Sequence, residues 1–280
     1  SKIMKNLPLE LEIQNLADAK AKSLIYTRPL RATSYQLIWI SEGEAIFDID
    51  FKEVTIKAGE LLVIYIGQVY RMHTNASFKG KKILFSDVFF KQTELDDNFQ
   101  QVAELLNPDC PNQKVKLDIE KVEKIFSLAE AELKNEADNF QTHIVYGYLR
   151  TLLFEAERIL EAGQPAVRYN LNENLTRRFC NAVEKNFHTL KHTEFYMHML
   201  NVCEKTLTRQ LKNDIEITPK KYLIKRVVLE AKRMLASSDA SVREVSIDLG
   251  FDEVTNFNKY FILHTTFTPG AFRDNHRFNS

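Results

Sequence analysis

SVREVSIDLGFDEVTNFNKYFILHTTFTPGAFRD, residues 241–274, reads as two short helices about a tight turn. Ser241 stands where a helix begins, and Glu244 three residues on completes a capping box. Val242, Val245 and Leu249 follow as an apolar stripe at helical spacing. Gly250 falls where the helix ends and the chain needs positive φ, and Phe251 plugs the turn. The next helix turns Val254, Phe257 and Phe261 inward, leaving Thr255, Asn256, Asn258 and Lys259 on its other faces. Thr268-Pro269 then opens a further helix, with Thr as the cap and Pro in its first turn.

The pattern has an earlier copy, TEFYMHMLNVCEKTLTRQLKNDIEITPKKYLIKR, residues 193–226. Here Thr193 is the expected cap, Met197 and Leu200 point inward, and Asn201 takes the turn because Asn also tolerates positive φ. The second helix of this copy exposes Lys205, Thr206, Thr208 and Arg209. Leu207-Thr208-Arg209 aligns with Phe257-Asn258-Lys259, Leu211 with Phe261, and Ile217-Thr218-Pro219 with Phe267-Thr268-Pro269. One helix-turn-helix pattern arises often by packing alone in helical proteins. Two that share the terminal Thr-Pro step do not. Between them, Pro219 to Ser237 is expected as one helix, its apolar face formed by Tyr222, Leu223, Val227, Leu229 (or Val228), Ala231, Met234 and Leu235. A helix of that length, at about 1.5 Å per residue, nearly spans the roughly 34 Å between adjacent major-groove turns. His188, His192 and His198 lie close in sequence, but without further ligands nearby they read as exposed polar positions.

The C-terminal hundred residues resemble the DNA-binding domain of AraC-type (AraC/XylS) transcription regulators. TLTRQLK…ITPKKYL..RVVLEAKRML and GFDEVTNFNKYF….FTPGAFR carry the likeness, the second covering nearly the whole family signature. Glu216 and Thr266 stand where the family has glycine, and Ile262-Leu263 replaces a basic pair. The resemblance implies double-stranded DNA as partner, contact with RNA polymerase, and activation of transcription. Matched position by position, it assigns base contacts to Lys205, Thr206, Thr208 and Arg209, and to Val254, Thr255, Asn258 and Lys259. Arg209 suits the bidentate guanine edge. Phosphate contacts fall to Lys212, Lys220, Lys221, Lys225 and the amide of Thr268. Asp252 and Glu253 repel phosphates, so the second unit is expected to add less affinity.

The formal charge of the 280 residues is zero, but it is unevenly spread: residues 173–280 hold 17 Lys+Arg against 13 Asp+Glu, and residues 1–172 hold 21 against 25. A basic module joined to an acidic one fits a phosphate-binding domain with a partner domain of other function. Cys110, Cys180 and Cys203 have neither metal nor redox spacing, and an odd count without a secretory signal leads to the expectation of a reducing cytoplasm. Cys203, in the first turn, is either a small buried residue or a redox-sensitive thiol. No apolar stretch approaches membrane-spanning length, so no membrane association is expected.

Residues 33–90 read as short strands: SYQLIWI, then EAIFDIDFKEVTIK, alternating apolar and polar residues with period two through Ile46, Phe51, Val54 and Ile56, then ELLVIYI and KKILFSDVFF. WISEGEA and DFKEVTIKAGELLVIYIGQVY resemble the cupin-type ligand-binding barrel of AraC-type regulators. Enzymatic cupins hold a metal with several histidines. Here His73 is the only histidine before residue 143, and Tyr70 stands where many relatives have histidine. Neither catalysis, a metal nor any other cofactor is therefore expected. If the barrel holds a small-molecule effector, Tyr35, Trp39, Tyr65, Tyr70, Arg71 and Met72 are its candidate lining, with simple core packing as the alternative for each.

Ile119, Val122, Phe126, Ala129 and Leu133 step at helical spacing, as do Val145, Leu149, Leu152, Ala156 and Ile159. Such helices either pack on the barrel or, as the resemblance implies, make a homodimer through residues such as Ile119, Val122, Phe126, Ala129, Leu133, Leu149 and Leu152. The expected class is α+β. A cupin-like effector and dimerisation domain spans 1–161 (barrel about 20–95, helices about 118–161), a Gly-, Pro- and Asn-marked linker spans 162–173, and an all-α domain with two helix-turn-helix units spans 174–280. The competing class is a protein-interaction adaptor, or a ligand-binding cupin protein, whose DNA-binding domain has degenerated.

Overall fold

The computed structural model describes residues 11–16, 29–73, 77–90, 105–106, 113–162 and 175–277, the side chains of 89 and 90 excepted. Nearly all of the expected linker, together with Cys110, lies outside them. The chain divides into two units, Ser1–Tyr169 and Asn170–Ser280.

The first unit is antiparallel β with two helices laid on one face. Its strands are β1 (Leu11–Asn15), β2 (Leu30–Arg31), β3 (Tyr35–Ile49), β4 (Lys52–Lys57), β5 (Glu60–Ile64), β6 (Val69–Met72), β7 (Phe78–Phe85) and β8 (Lys114–Lys116), with a four-residue helix, α1 (Asp87–Phe90), after β7. β3 is the spine. Its first half pairs with β5 and β7, and its second half pairs with β4 and β6. At Ser41 the register slips by one residue. A bulge of this kind reverses which side chains face inward. Before it Ile38 and Ile40 face the barrel interior; after it Ala45, Phe47 and Ile49 do, joined by Ile56, Leu62, Ile64, Tyr70 and Met72.

That bulge and one hairpin account for a misreading of the sequence. EAIFDIDFKEVTIK is two strands, β3 and β4, joined by Asp50-Phe51 in the left-handed region (φ 47° and 68°). A two-residue loop with both centres at positive φ is the hairpin turn that matches strand twist. Asp50 is held there by Gln68 Nε2 at 2.9 Å and the Val69 amide at 3.1 Å. Because a turn intervenes, Ala45, Phe47 and Ile49 are the buried set, while Ile46, Phe51 and Val54 are only half-buried.

The opposite face of the β1-β7-β3-β5-β8 sheet carries Leu37, Trp39, Leu61, Val63, Tyr65, Ile83 and Phe85. Two amphipathic helices cover it, α2 (Ile119–Lys134), capped by Asp118 on the Lys121 amide, and α3 (Gln141–Ala162). Val122, Phe126, Ala129, Val145, Leu149, Leu152 and Ala156 all enter this core. Trp39 Nε1 donates to Glu123 at 2.7 Å, and Lys81 pairs with Glu130 at 2.9 Å, fixing α2 on the sheet. The expected dimerisation seam is therefore corrected. Val122, Phe126, Ala129, Leu149 and Leu152 are buried against the barrel, Leu133 packs at the edge of the same core, and only Ile119 of that set is exposed.

The second unit is all helix: α4 (Leu175–Asn186), α5 (Thr193–Leu200), α6 (Glu204–Ile215), α7 (Pro219–Ser237), α8 (Val242–Asp248), α9 (Val254–Thr265) and α10 (Pro269–Arg277). α7 is the single long helix expected, capped by Thr218 with Pro219 in its first turn. Leu223, Val227, Val228, Ala231, Leu235 and Ala236 are its buried apolar face. It also buries charge: Arg226 clamps Glu184 of α4 at 2.5 and 2.7 Å and Glu230 at 3.1 Å, with Arg233 at 3.7 Å from Glu230.

Candidate DNA interface

In the first helix-turn-helix, α5 and α6 meet at Asn201, whose φ of 53° makes the turn. The cap differs from expectation. His192 occupies the N-cap position without a side-chain bond and Thr193 is the first helical residue. Tyr196, rather than Met197, is the fully buried residue of α5. Its hydroxyl donates to the Leu190 carbonyl at 2.7 Å, and burial pushes its pKa up to about 12. Leu207 and Leu211 root α6 in the core, so Lys205, Arg209 and Lys212 stand exposed, with Thr208 half-buried among them. Thr206 is half-buried too, its hydroxyl 3.2 Å from Cys203 Sγ. Cys203 itself is exposed, and that contact with Thr206 is the first cause lowering its pKa. Of the two alternatives for this cysteine, the small buried residue is therefore excluded. On the far side of α6, Asp214 accepts from Thr176 of α4 at 2.6 Å and from Gln210, which fixes the helix in rotation.

The second helix-turn-helix follows its sequence closely. Ser241 and Glu244 close the capping box in both directions, at 3.2 and 2.6 Å, and Gly250 has φ 69°. Val245, Leu249, Phe257 and Phe261 are fully buried, and Phe251 rests on Phe257 and Tyr260. On α9, Thr255 and Lys259 are exposed and Val254 and Asn258 half-buried. The Oδ1 atom of Asn258 is occluded and has no hydrogen-bond partner, so this carbonyl does not face outward as a base reader's would. Next to Lys259 the outer face turns apolar, with Ile262 42% and Leu263 75% exposed.

Both family-glycine departures keep the glycine conformation. Glu216 and Thr266 end α6 and α9 at φ 57° and 67°, each amide bonded back to Lys212 and Ile262 respectively. The two units thus retain one shape despite different residues. Lys220, Lys221 and Lys225 are exposed on α7, and Thr268 is exposed where its hydroxyl accepts from the Ala271 amide to open α10.

The sequence did not signal what ties the second unit down. Lys191, before α5, donates to the carbonyls of His188 and Gly250, each at 3.0 Å, and lies over the Phe251 ring. A Cβ on Gly250 would meet the His188 carbonyl at 2.1 Å, so that glycine permits close approach as well as positive φ. His188 Nδ1 lies 3.2 Å from the Asp248 carbonyl and His192 packs edge-on to Phe195, so these histidines serve backbone and packing contacts. Nothing in the bare spacing of Lys191 and Gly250 announces the contact, because the residues are 59 apart.

In the first unit the six candidate pocket residues do not share one face. Tyr35 stacks on Phe85, and Trp39 and Tyr65 lie in the helix-side core, Tyr65 donating to the Leu105 carbonyl at 2.7 Å. Tyr70 and Met72 belong to the barrel interior. Arg71 turns away from that interior and pairs with Asp48 at 2.7 Å. Strand alternation separates them. Among the described residues one group, Asp48, Glu53 and His73, has metal-ligating atoms within 4.8 Å of one another. The Arg71 guanidinium already occupies Asp48 there.

A family model described as a helix-turn-helix domain matches residues 196–275. The uncharacterized HTH-type transcriptional regulator YdiP of Escherichia coli K12 is 22% identical over 242 residues, which is 85% of this chain and 78% of that protein. The HTH-type transcriptional activator RhaS of Escherichia coli O139:H28 is 32% identical over 69 residues, and the match spans only 25% of that protein's length. Among solved structures, ToxT of Vibrio cholerae O395 aligns over 96% of this chain and 99% of its own, at 10% identity and a TM-score of 0.47.

Proposed function

We infer that this chain, whose C-terminal unit is an AraC-type helix-turn-helix domain, is a sequence-specific DNA-binding transcription regulator that reads two neighbouring major-groove segments. One observation carries this: α6 and α9 present Arg209 and Lys259 at matching exposed positions, each rooted by the same pair of buried residues, Leu207 and Leu211 or Phe257 and Phe261. Lys205, Thr208 and Arg209 then take base edges through the first unit, and Thr255 and Lys259 through the second, with Lys212, Lys220, Lys221 and Lys225 on phosphates. The chain activates transcription from the cytoplasm as a homodimer in contact with RNA polymerase, and the N-terminal barrel is its small-molecule effector module. The identity of RhaS as an activator supports the first of these.

The test is binding of the full chain to duplexes selected from random sequence, followed across salt. A DNA reader loses affinity log-linearly, with a slope of about −0.9 per phosphate contacted. A flat salt response overturns this function. It would favour the second reading, a protein-docking role, for which the exposed Ile262 and Leu263 of α9 speak.

A further inference from the structure

Among the described residues, the interior face of the barrel carries two polar side chains without a hydrogen-bond partner. Gln36 is 3% and Lys82 7% exposed. In the β3–β7 ladder, Ile38 pairs with Lys82 and Gln36 with Leu84, so Gln36 and Lys82 are diagonal neighbours on one face, about 7–8 Å apart at Cα. That face is the one Ile38, Leu62 and Ile64 turn into the barrel core. The Gln36 Oε1 atom is occluded and has no hydrogen-bond partner. The Lys82 ammonium makes no hydrogen bond among the described residues, and the charge that acts on it is Glu12, exposed on β1. A largely buried lysine whose ammonium finds no hydrogen-bond partner is unfavourable, and an apolar side chain would fill the same place with a smaller penalty. Its burial also pushes the Lys82 pKa down.

The two groups are complementary in kind. An ammonium calls for an anionic acceptor, and an orphaned amide oxygen calls for a donor a few ångströms away. Among the described residues Lys82 is the one cation beside Gln36, and Glu12 acts on it, which suits a single negative charge better than a phosphate dianion. Resting on the reading of this unit as an effector module, we propose that Lys82 and Gln36 are the recognition end of a site for a small hydroxy-carboxylate, Lys82 taking the carboxylate and Gln36 Oε1 the hydroxyl.

Thermal melting of the full chain tests this, with lactate, glycerate and gluconate as probes, propionate as the carboxylate without a hydroxyl, and propane-1,2-diol as the hydroxyl without a carboxylate. Trp39, the only tryptophan, follows the same titrations by fluorescence from the neighbouring position on β3. The hydroxy acids are expected to raise Tm by more than either control. Lys82→Met should abolish that shift and should itself melt higher than the native chain without any acid, by roughly 2–4 °C. Gln36→Leu should bring lactate and propionate to equal effect. A hydroxy-acid shift that survives Lys82→Met overturns the proposal, as does a Lys82→Met chain that melts lower than the native one. If no hydroxy acid acts but a cell metabolite extract still raises Tm, this ligand class fails and the effector reading stands; if neither acts, both fail.

Discussion

Two residues at helix ends do what glycine does elsewhere in the resembled family. Glu216 and Thr266 each hold the left-handed conformation, which is unfavourable for side chains with a Cβ and more so for a β-branched one. Glu216→Gly and Thr266→Gly are each expected to stabilise the C-terminal unit by about 1 kcal/mol, the larger gain at Thr266, as read by urea melts. Arg209 and Lys259 offer a contrast in function instead of stability. Arg209→Ala should abolish specific binding, worth roughly 1–3 kcal/mol for a bidentate guanine contact, while Lys259→Ala weakens it mildly. Equal losses in a salt-controlled titration would contradict that order. Tyr196 and Tyr260 set an alkaline limit. Burial holds both at about 12, whereas an unfolded tyrosine titrates near the ordinary value of 10.0. Between those values the folded chain retains protons that the unfolded chain releases, so stability falls as pH rises above about 10. Tyr196→Phe should flatten part of that fall in a series of melts from pH 8 to 12.

At the scale of the element, the helices were legible and the strand faces were not. Capping chemistry is local, so Ser241, Glu244, Gly250, Thr218 and Pro219 announce their roles within four residues. A strand's face is set by its neighbours. The reading of EAIFDIDFKEVTIK as one alternating run missed the turn at Asp50-Phe51, so Ile46 and Phe51 fall outside the interior core that Val54 and Ile56 join, and neither that turn nor the bulge at Ser41 carries glycine. The same blindness misplaced Val122, Phe126 and Leu149: an apolar helical stripe does not say whether a sheet or a second chain will cover it. α7 adds a feature that periodicity hides, the buried Glu230 between Arg226 and Arg233. Glu230→Ala takes away the carboxylate that Arg226 and Arg233 share, while Arg226 keeps Glu184, and should lower stability by roughly 1.5–3 kcal/mol, measured by calorimetry. Glu184→Gln, at a more exposed partner, should cost far less.

For the whole molecule, the chain's two units differ in how openly they declare themselves. The proposed DNA-reading positions follow from a motif repeated within one sequence, and Lys205, Arg209, Thr255 and Lys259 are all exposed. The barrel's chemistry rests on Gln36 and Lys82, which look like ordinary surface positions in a strand until register puts them on the inner face.

The one-residue slip at Ser41 has a consequence for how the barrel tolerates change in length. Ile40 and Glu42 oppose the consecutive residues Gly80 and Lys79, so they already face opposite sides and Ser41 is the spare. Excising Ser41 would close the ladder and leave Ile40, Ala45, Phe47 and Ile49 all turned inward. A saturation library with in-frame single-codon losses should therefore recover folded protein lacking Ser41, and should not recover losses within β5, where pairing with β3 holds no spare residue.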